Sequence, residues 1–72
     1  MQEIAAQLGV RVRERRQALN LSQQILATNA GLATGTLARI EAGDGANLST
    51  IAAIAGALGC PITDLLAEKE TK

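Results

Sequence analysis

Phenylalanine, tryptophan, tyrosine and histidine are all missing from this 72-residue chain, and cysteine, proline and methionine occur once each. Without histidine the chain lacks the side chain that changes charge between about pH 5 and 8, and with it the commonest general base and metal ligand. Without aromatic rings it has no platform for base stacking and no cation–π recognition. A single cysteine, Cys60, excludes an intrachain disulfide and a cysteine-rich zinc site, and reads as a small, buried, inert thiol. The carboxylates are few and scattered, and no nucleophile–base pair forms without histidine. The expectation is therefore a non-enzyme that uses no cofactor and no metal. No apolar run approaches the roughly 20 residues that span a bilayer. The opening MQEIAAQ has neither the basic start nor the apolar stretch of a signal peptide. These absences point to a soluble, cytoplasmic protein with no membrane partner.

What is present is aliphatic. Hydrophobic residues make up 47% of the chain, too many for a disordered segment. Seventy-two residues suffice for one domain, 1–72, which buries about 60% of its unfolded surface and is only marginally stable. Lysine plus arginine equals aspartate plus glutamate, seven each, but the spread is uneven. Residues 1–43 carry five arginines against three glutamates; residues 44–72 carry two lysines against four acids. The first half is the one that would face a polyanion.

Helical periodicity dominates. Ile4, Leu8, Val12 and Leu19 share one stripe, which predicts a first helix over about residues 2–19. Within it Arg13 points to solvent, while Arg15 falls on the stripe with its stem packed and its head in water. Asn20 supplies a left-handed stop, and Ser22 caps a second helix, 23–30, that ends at Gly31. A third helix, 34–41, has Leu37 and Ile40 as core positions and breaks at Gly43-Asp44-Gly45. Asn47 caps a fourth, 48–58, with Leu48, Ile51, Ile54, Ala55 and Leu58 inward, and Gly59 ends it. Pro61 opens a fifth, about 62–68, with Ile62, Leu65 and Leu66 inward. The core then spans about residues 8–67, and the polar tail 69–72 is expected to fray.

Helices 2 and 3 are short and joined by a few residues centred on Gly31, the spacing of a helix-turn-helix. Gly31 permits positive φ in the turn. Ala27 is small where the two helices cross, and Leu26, Ala30, Leu32, Leu37 and Ile40 fill the wedge between them.

The stretch LSQQILATNAGLATGTLARIEAG resembles the helix-turn-helix domain of the phage-repressor family, the Xre or Cro/CI type. RVRERRQALN before it is similar to that family's first helix, and LSTIAAIAGALGCPITDLL after it to its helices 4 and 5. The resemblance covers about residues 8–67. It implies an all-α, five-helix bundle of the lambda-repressor-like DNA-binding type, acting as a homodimer on double-stranded DNA. The implied function is a sequence-specific transcriptional regulator, in the first instance a repressor, with helix 3 in the major groove.

In that docking the start of the motif's second helix meets base edges, here Ala33, Thr34, Gly35 and Thr36. Thr34 and Thr36 can hydrogen-bond a base edge or set a methyl against thymine, and Gly35 permits close approach. Arg39, one turn later, is placed to fork to a guanine or hold a phosphate. Gln23 matches the family position that clamps a phosphate at the start of helix 2. Arg16 and Glu41 match a pair of positions that the family joins by a partly buried salt bridge. Four residues depart from the family's pattern. Ala33 replaces a common Ser or Thr cap, and Ala46 a frequent proline. Ile25 stands at an often acidic position, and Asp44, where a cation often touches the backbone, would repel phosphate.

The outward arc of helix 4, read by angle from Ile51, holds Ala52, Ala53, Gly56 and Ala57, with no charge and no large side chain. Solvent-facing helix surfaces normally carry charge, so this arc, with Pro61 beside it, is the candidate dimer interface. Two other readings keep the same fold. One is a protein-interaction module with weak or lost DNA binding; the other is an antitoxin. The chain could also be the DNA-binding part of a larger regulator.

Overall fold

The computed structural model describes residues 3–66. Gln2, the Ile4 side chain and residues 67–72 lie outside the described residues, and with them the expected end of helix 5 and the tail. Among the described residues the chain forms five helices and no strand: α1 (Glu3–Ala18), α2 (Gln23–Ala30), α3 (Thr34–Glu41), α4 (Leu48–Leu58) and α5 (Ile62–Leu66).

Local chemistry sets the boundaries. The Ser22 hydroxyl accepts from the Ile25 amide at 3.0 Å, and Asn47 Oδ1 accepts from the Thr50 amide at 2.9 Å. Each satisfies a first-turn donor that the helix itself cannot. α2 ends at Gly31 with φ 75°, where the left-handed turn lets Leu32 N–H reach back to Ala27 O at 2.8 Å. The same closure ends α1 at Asn20, with φ 60° and Leu21 N–H on Arg16 O at 3.1 Å. It recurs after α4, where Cys60 N–H meets Ala55 O at 3.1 Å.

The core is wholly aliphatic. Leu26, Leu37, Ile54, Leu65 and Val12 are its largest fully buried side chains, joined by Leu8, Ala27 and Ile40. α2 packs on α3 and α4, α1 on α3 and α5, and α5 closes against α4. Ala27 is fully buried on α2, the helix that packs against both α3 and α4. Cys60 is half-buried and packs against this core.

Three stripe positions differ from the sequence pattern. Leu19 is 50% exposed, because α1 stops at Ala18 and Leu19 falls in the turn that follows. Leu48 is 64% exposed as the first residue of α4, beyond the rim of the core. Leu66 is 39% exposed, because Leu65 takes the inward position and the next residue on a helix points about 100° away. Arg15 is also freer than its stripe position implies. Its Nη2 reaches Asp64 Oδ2 on α5 at 2.9 Å, with both side chains more than a third exposed.

Candidate nucleic-acid interface

α3 is anchored by one face and free on the other. Leu37 and Ile40 are buried and Glu41 is 8% exposed, whereas Thr34, Gly35, Thr36 and Arg39 are all exposed. Ala33 takes the N-cap position, with φ −72° and ψ 147°, and makes no side-chain capping bond. The first-turn amides of α3 therefore keep their hydrogens for an outside acceptor. A β-carbon built on Gly35 meets nothing within 4 Å, so no contact among the described residues requires glycine there.

Arg39 carries the outer face into a shallow groove that it lines with Thr36, Asp44, Asn47 and Thr50. Its Nε donates to Asp44 Oδ2 at 3.1 Å across the turn that leaves α3. Asp44, whose charge the sequence pattern sets against phosphate, is paired with Arg39.

Behind the face lies a charged cluster that fixes the helix-turn-helix onto α1. Arg16 Nε donates to Glu41 Oε2 at 2.7 Å and its Nη2 to Glu41 Oε1 at 3.0 Å, a two-point fork. Its Nη1 donates to Leu21 O at 2.8 Å, which ties the same guanidinium to the turn before α2. The two side chains are 12% and 3% exposed. The hydrogen bonds that Arg16 donates to Glu41 raise its pKa above the ordinary value; burial opposes the rise, and the charge of Glu41 adds to it. A raised pKa on a cation stabilises the fold at every pH below the ordinary arginine value, and the gain is lost only as pH climbs through the raised one. The Arg16 charge thus stays in place throughout the neutral range.

Gln23 joins this cluster. Its Nε2 donates to Glu41 Oε1 at 3.1 Å, so the side chain expected to grip a phosphate spends one of its two amide hydrogens inside the fold. The other hydrogen is left for an outside acceptor. So is the backbone N–H of Gln23, which follows the Ser22 cap. Sequence reasoning missed this link, the Leu21 carbonyl and the Asp44 pairing, since each joins residues at separations that no helical period marks.

On α4, Ala52 and Gly56 are exposed, as is Pro61 before α5, while Ala53 is half-buried. Ala57 departs from the expected outward arc: it is half-buried and packs against the core, because it neighbours the inward Ala55 and Leu58. Among the described residues no group of three His, Cys, Asp or Glu could hold a metal ion. Nor is any described helix long and apolar enough to cross a membrane.

Residues 12–65 match the model of the family described as Helix-turn-helix. The restriction-modification controller protein C.AhdI from Aeromonas hydrophila is similar, at 34% identity over 85% of this chain and 94% of that one, with a TM-score of 0.82. So is the apo form of the competence regulator ComR from Streptococcus vestibularis, at 30% identity, with a TM-score of 0.83 over 93% of this chain. The matched part is 23% of ComR, so the chain corresponds to about a quarter of that regulator. No curated protein matches the chain significantly. With its five-helix bundle, its capped α2–turn–α3 unit and these matches, the chain belongs to the Xre-type helix-turn-helix family of DNA-binding transcription regulators.

Proposed function

We propose that this protein binds double-stranded DNA sequence-specifically as a homodimer and represses transcription in the cytoplasm, with residues 1–72 acting as one DNA-binding unit. The observation that carries the reading is the division of α3 into an anchored face and a free one. Leu37 and Ile40 fix the helix in the core, and Thr34, Gly35, Thr36 and Arg39 project away from it. In this reading the uncapped start of α3 enters the major groove. Ala33 and Gly35 admit the DNA closely, Thr34 and Thr36 meet base edges, Arg39 reaches a guanine, and Gln23 holds a phosphate. Similarity to a controller protein and a competence regulator supports a regulatory role. A dimer seated across an operator occludes it, which favours repression. No catalytic step, cofactor or metal enters.

The Arg39→Ala, Thr36→Ala double variant should weaken binding to a recognised genomic fragment by at least about 1–3 kcal/mol, the scale of one base-reading arginine. Anisotropy titrations on that fragment and on random-sequence duplex check this. Unchanged affinity on the genomic fragment would remove α3 from the contact. An equal loss on both would make Arg39 a phosphate clamp.

Dimerisation rests on Gly56. A β-carbon there meets nothing within 4 Å, and glycine inside a helix costs about 1 kcal/mol relative to alanine. No contact among the described residues accounts for that cost, and close approach of a second backbone would. With Ala52, Ala53 and Pro61, Gly56 forms the interface of this reading. A two-fold dimer sets the two α3 helices about 34 Å apart, one DNA turn. Sedimentation equilibrium should find a dimer that the paired changes Ala53→Glu and Gly56→Glu dissociate. A wild type that stays monomeric at high micromolar concentration, with or without DNA, contradicts it.

A further inference from the structure

We propose that Asp44 is a specificity-determining positioning residue, whose carboxylate holds Arg39 as a reader of guanine and denies it to the phosphate backbone. The inference rests on the DNA-binding reading above and adds a role to a residue that the sequence pattern marks only as unfavourable.

Two hydrogen bonds join the same two residues. Arg39 Nε donates to Asp44 Oδ2 at 3.1 Å, and the Asp44 backbone N–H donates to Arg39 O at 3.0 Å. The second bond fixes the aspartate backbone against the last turn of α3, so the carboxylate has a set place relative to the arginine stem. The first occupies the Nε edge of the guanidinium. What remains free is the end-on pair, Nη1 and Nη2, which matches the O6 and N7 acceptors that guanine shows in the major groove.

The choice of Nε matters. A guanidinium with every donor free can turn to a phosphate as readily as to a base. One held by Nε keeps its fork pointed outward along the stem. Asp44 adds a second effect, since a carboxylate on this rim repels phosphate and raises the cost of the alternative pose. Thr36, Asn47 and Thr50 line the groove with this pair and bring no charge, so Asp44 is the one ionic partner among the lining residues for Arg39. In water the pair contributes little to folding, because Arg39 is 77% and Asp44 55% exposed. Its effect belongs to the bound state, where exclusion of water strengthens the same contact.

The test selects bound duplexes from a randomised library at fixed salt with wild type, Arg39→Ala, Asp44→Ala and Asp44→Asn, each first shown to melt like wild type. Wild type should enrich a motif with one guanine per half-site whose preference disappears in Arg39→Ala. Asp44→Ala should reduce that preference about tenfold. It should also bind random duplex more tightly, with a salt dependence steeper by about one phosphate contact per subunit. Asp44→Asn can still accept from Nε and should keep most of the guanine preference. If Asp44→Ala retains the wild-type guanine preference while Arg39→Ala loses it, Asp44 positions nothing and only this inference falls. If wild type enriches no motif, the DNA-reading proposal falls with it.

Discussion

Arg16→Ala is expected to destabilise the fold by about 3 kcal/mol, the largest loss from any single change on the charged side of α1. Removing the guanidinium leaves Glu41, 3% exposed, with Gln23 Nε2 as its remaining side-chain donor. It also leaves the Leu21 carbonyl without its arginine donor. Glu41→Ala should cost less. The guanidinium it strands is 12% exposed, keeps its bond to Leu21 O and sits on a long stem that can carry the charge to water. The double variant should lose less than the two single losses combined, because neither stranded charge remains. In a domain of this size each kcal/mol moves the melting temperature by about 4–8 °C, so Arg16→Ala should melt roughly 10–25 °C below wild type. Thermal melts of the three variants decide the point. Small, additive losses would mean that the pair contributes only as surface charges do.

Gly9→Ala should be destabilising by about 1–3 kcal/mol, against the usual benefit of replacing a helical glycine. A β-carbon at Gly9 would lie 2.5 Å from Ile40 O, 2.7 Å from Glu41 O and 3.0 Å from the Glu41 carbonyl carbon. All three are backbone atoms, so α1 must move away from the end of α3 rather than a side chain turning aside. The movement would also stretch the Arg16–Glu41 fork one to two turns further along α1. Gly56→Ala is the matched control. It has the same helix propensity gain and open space around it, so the monomer should be stabilised by about 1 kcal/mol. Chemical denaturation of both variants, at a concentration low enough to keep the protein monomeric, checks the contrast. Equal stabilisation of both would mean that α1 does not press on α3 at Gly9.

Much of this arrangement is legible in the sequence because it is local. Ser22 and Asn47 cap helices, and Asn20, Gly31 and Gly59 end them, by chemistry confined to a few neighbouring residues. The same holds for α3, whose buried Leu37 and Ile40 imply the exposed Thr36 and Arg39 by angle alone. What the pattern does not carry is where a stripe meets the edge of the core. Leu19, Leu48 and Leu66 have the right period yet stand at helix ends, where no partner helix covers them. Nor does it carry the polar links between elements. Gln23 with Glu41 and Arg39 with Asp44 depend on how separate segments meet in space. Gly9 did leave a signal, a glycine inside a long helix at a cost in propensity, but its cause lies in the α1–α3 crossing.

One carboxylate links the start of α2, the end of α3 and α1. Glu41 closes the inner end of α3 onto Arg16 and also receives Gln23 from the start of α2. Gln23, proposed above as a phosphate contact, is therefore held by the cluster that anchors the fold. The orientation of α3 is fixed within the fold, and under the proposed function this would keep ordering costs on DNA binding small.

The most direct test of the central claim is methylation interference at guanine N7 on a bound genomic fragment, because N7 faces only the major groove. Wild type should be blocked by methylation at guanines in two half-sites centred about one helical turn apart. Arg39→Ala should become indifferent to one guanine in each while keeping the others. Binding that no guanine methylation disturbs, or an interference pattern unchanged in Arg39→Ala, would contradict an α3 that reads bases in the major groove through Arg39.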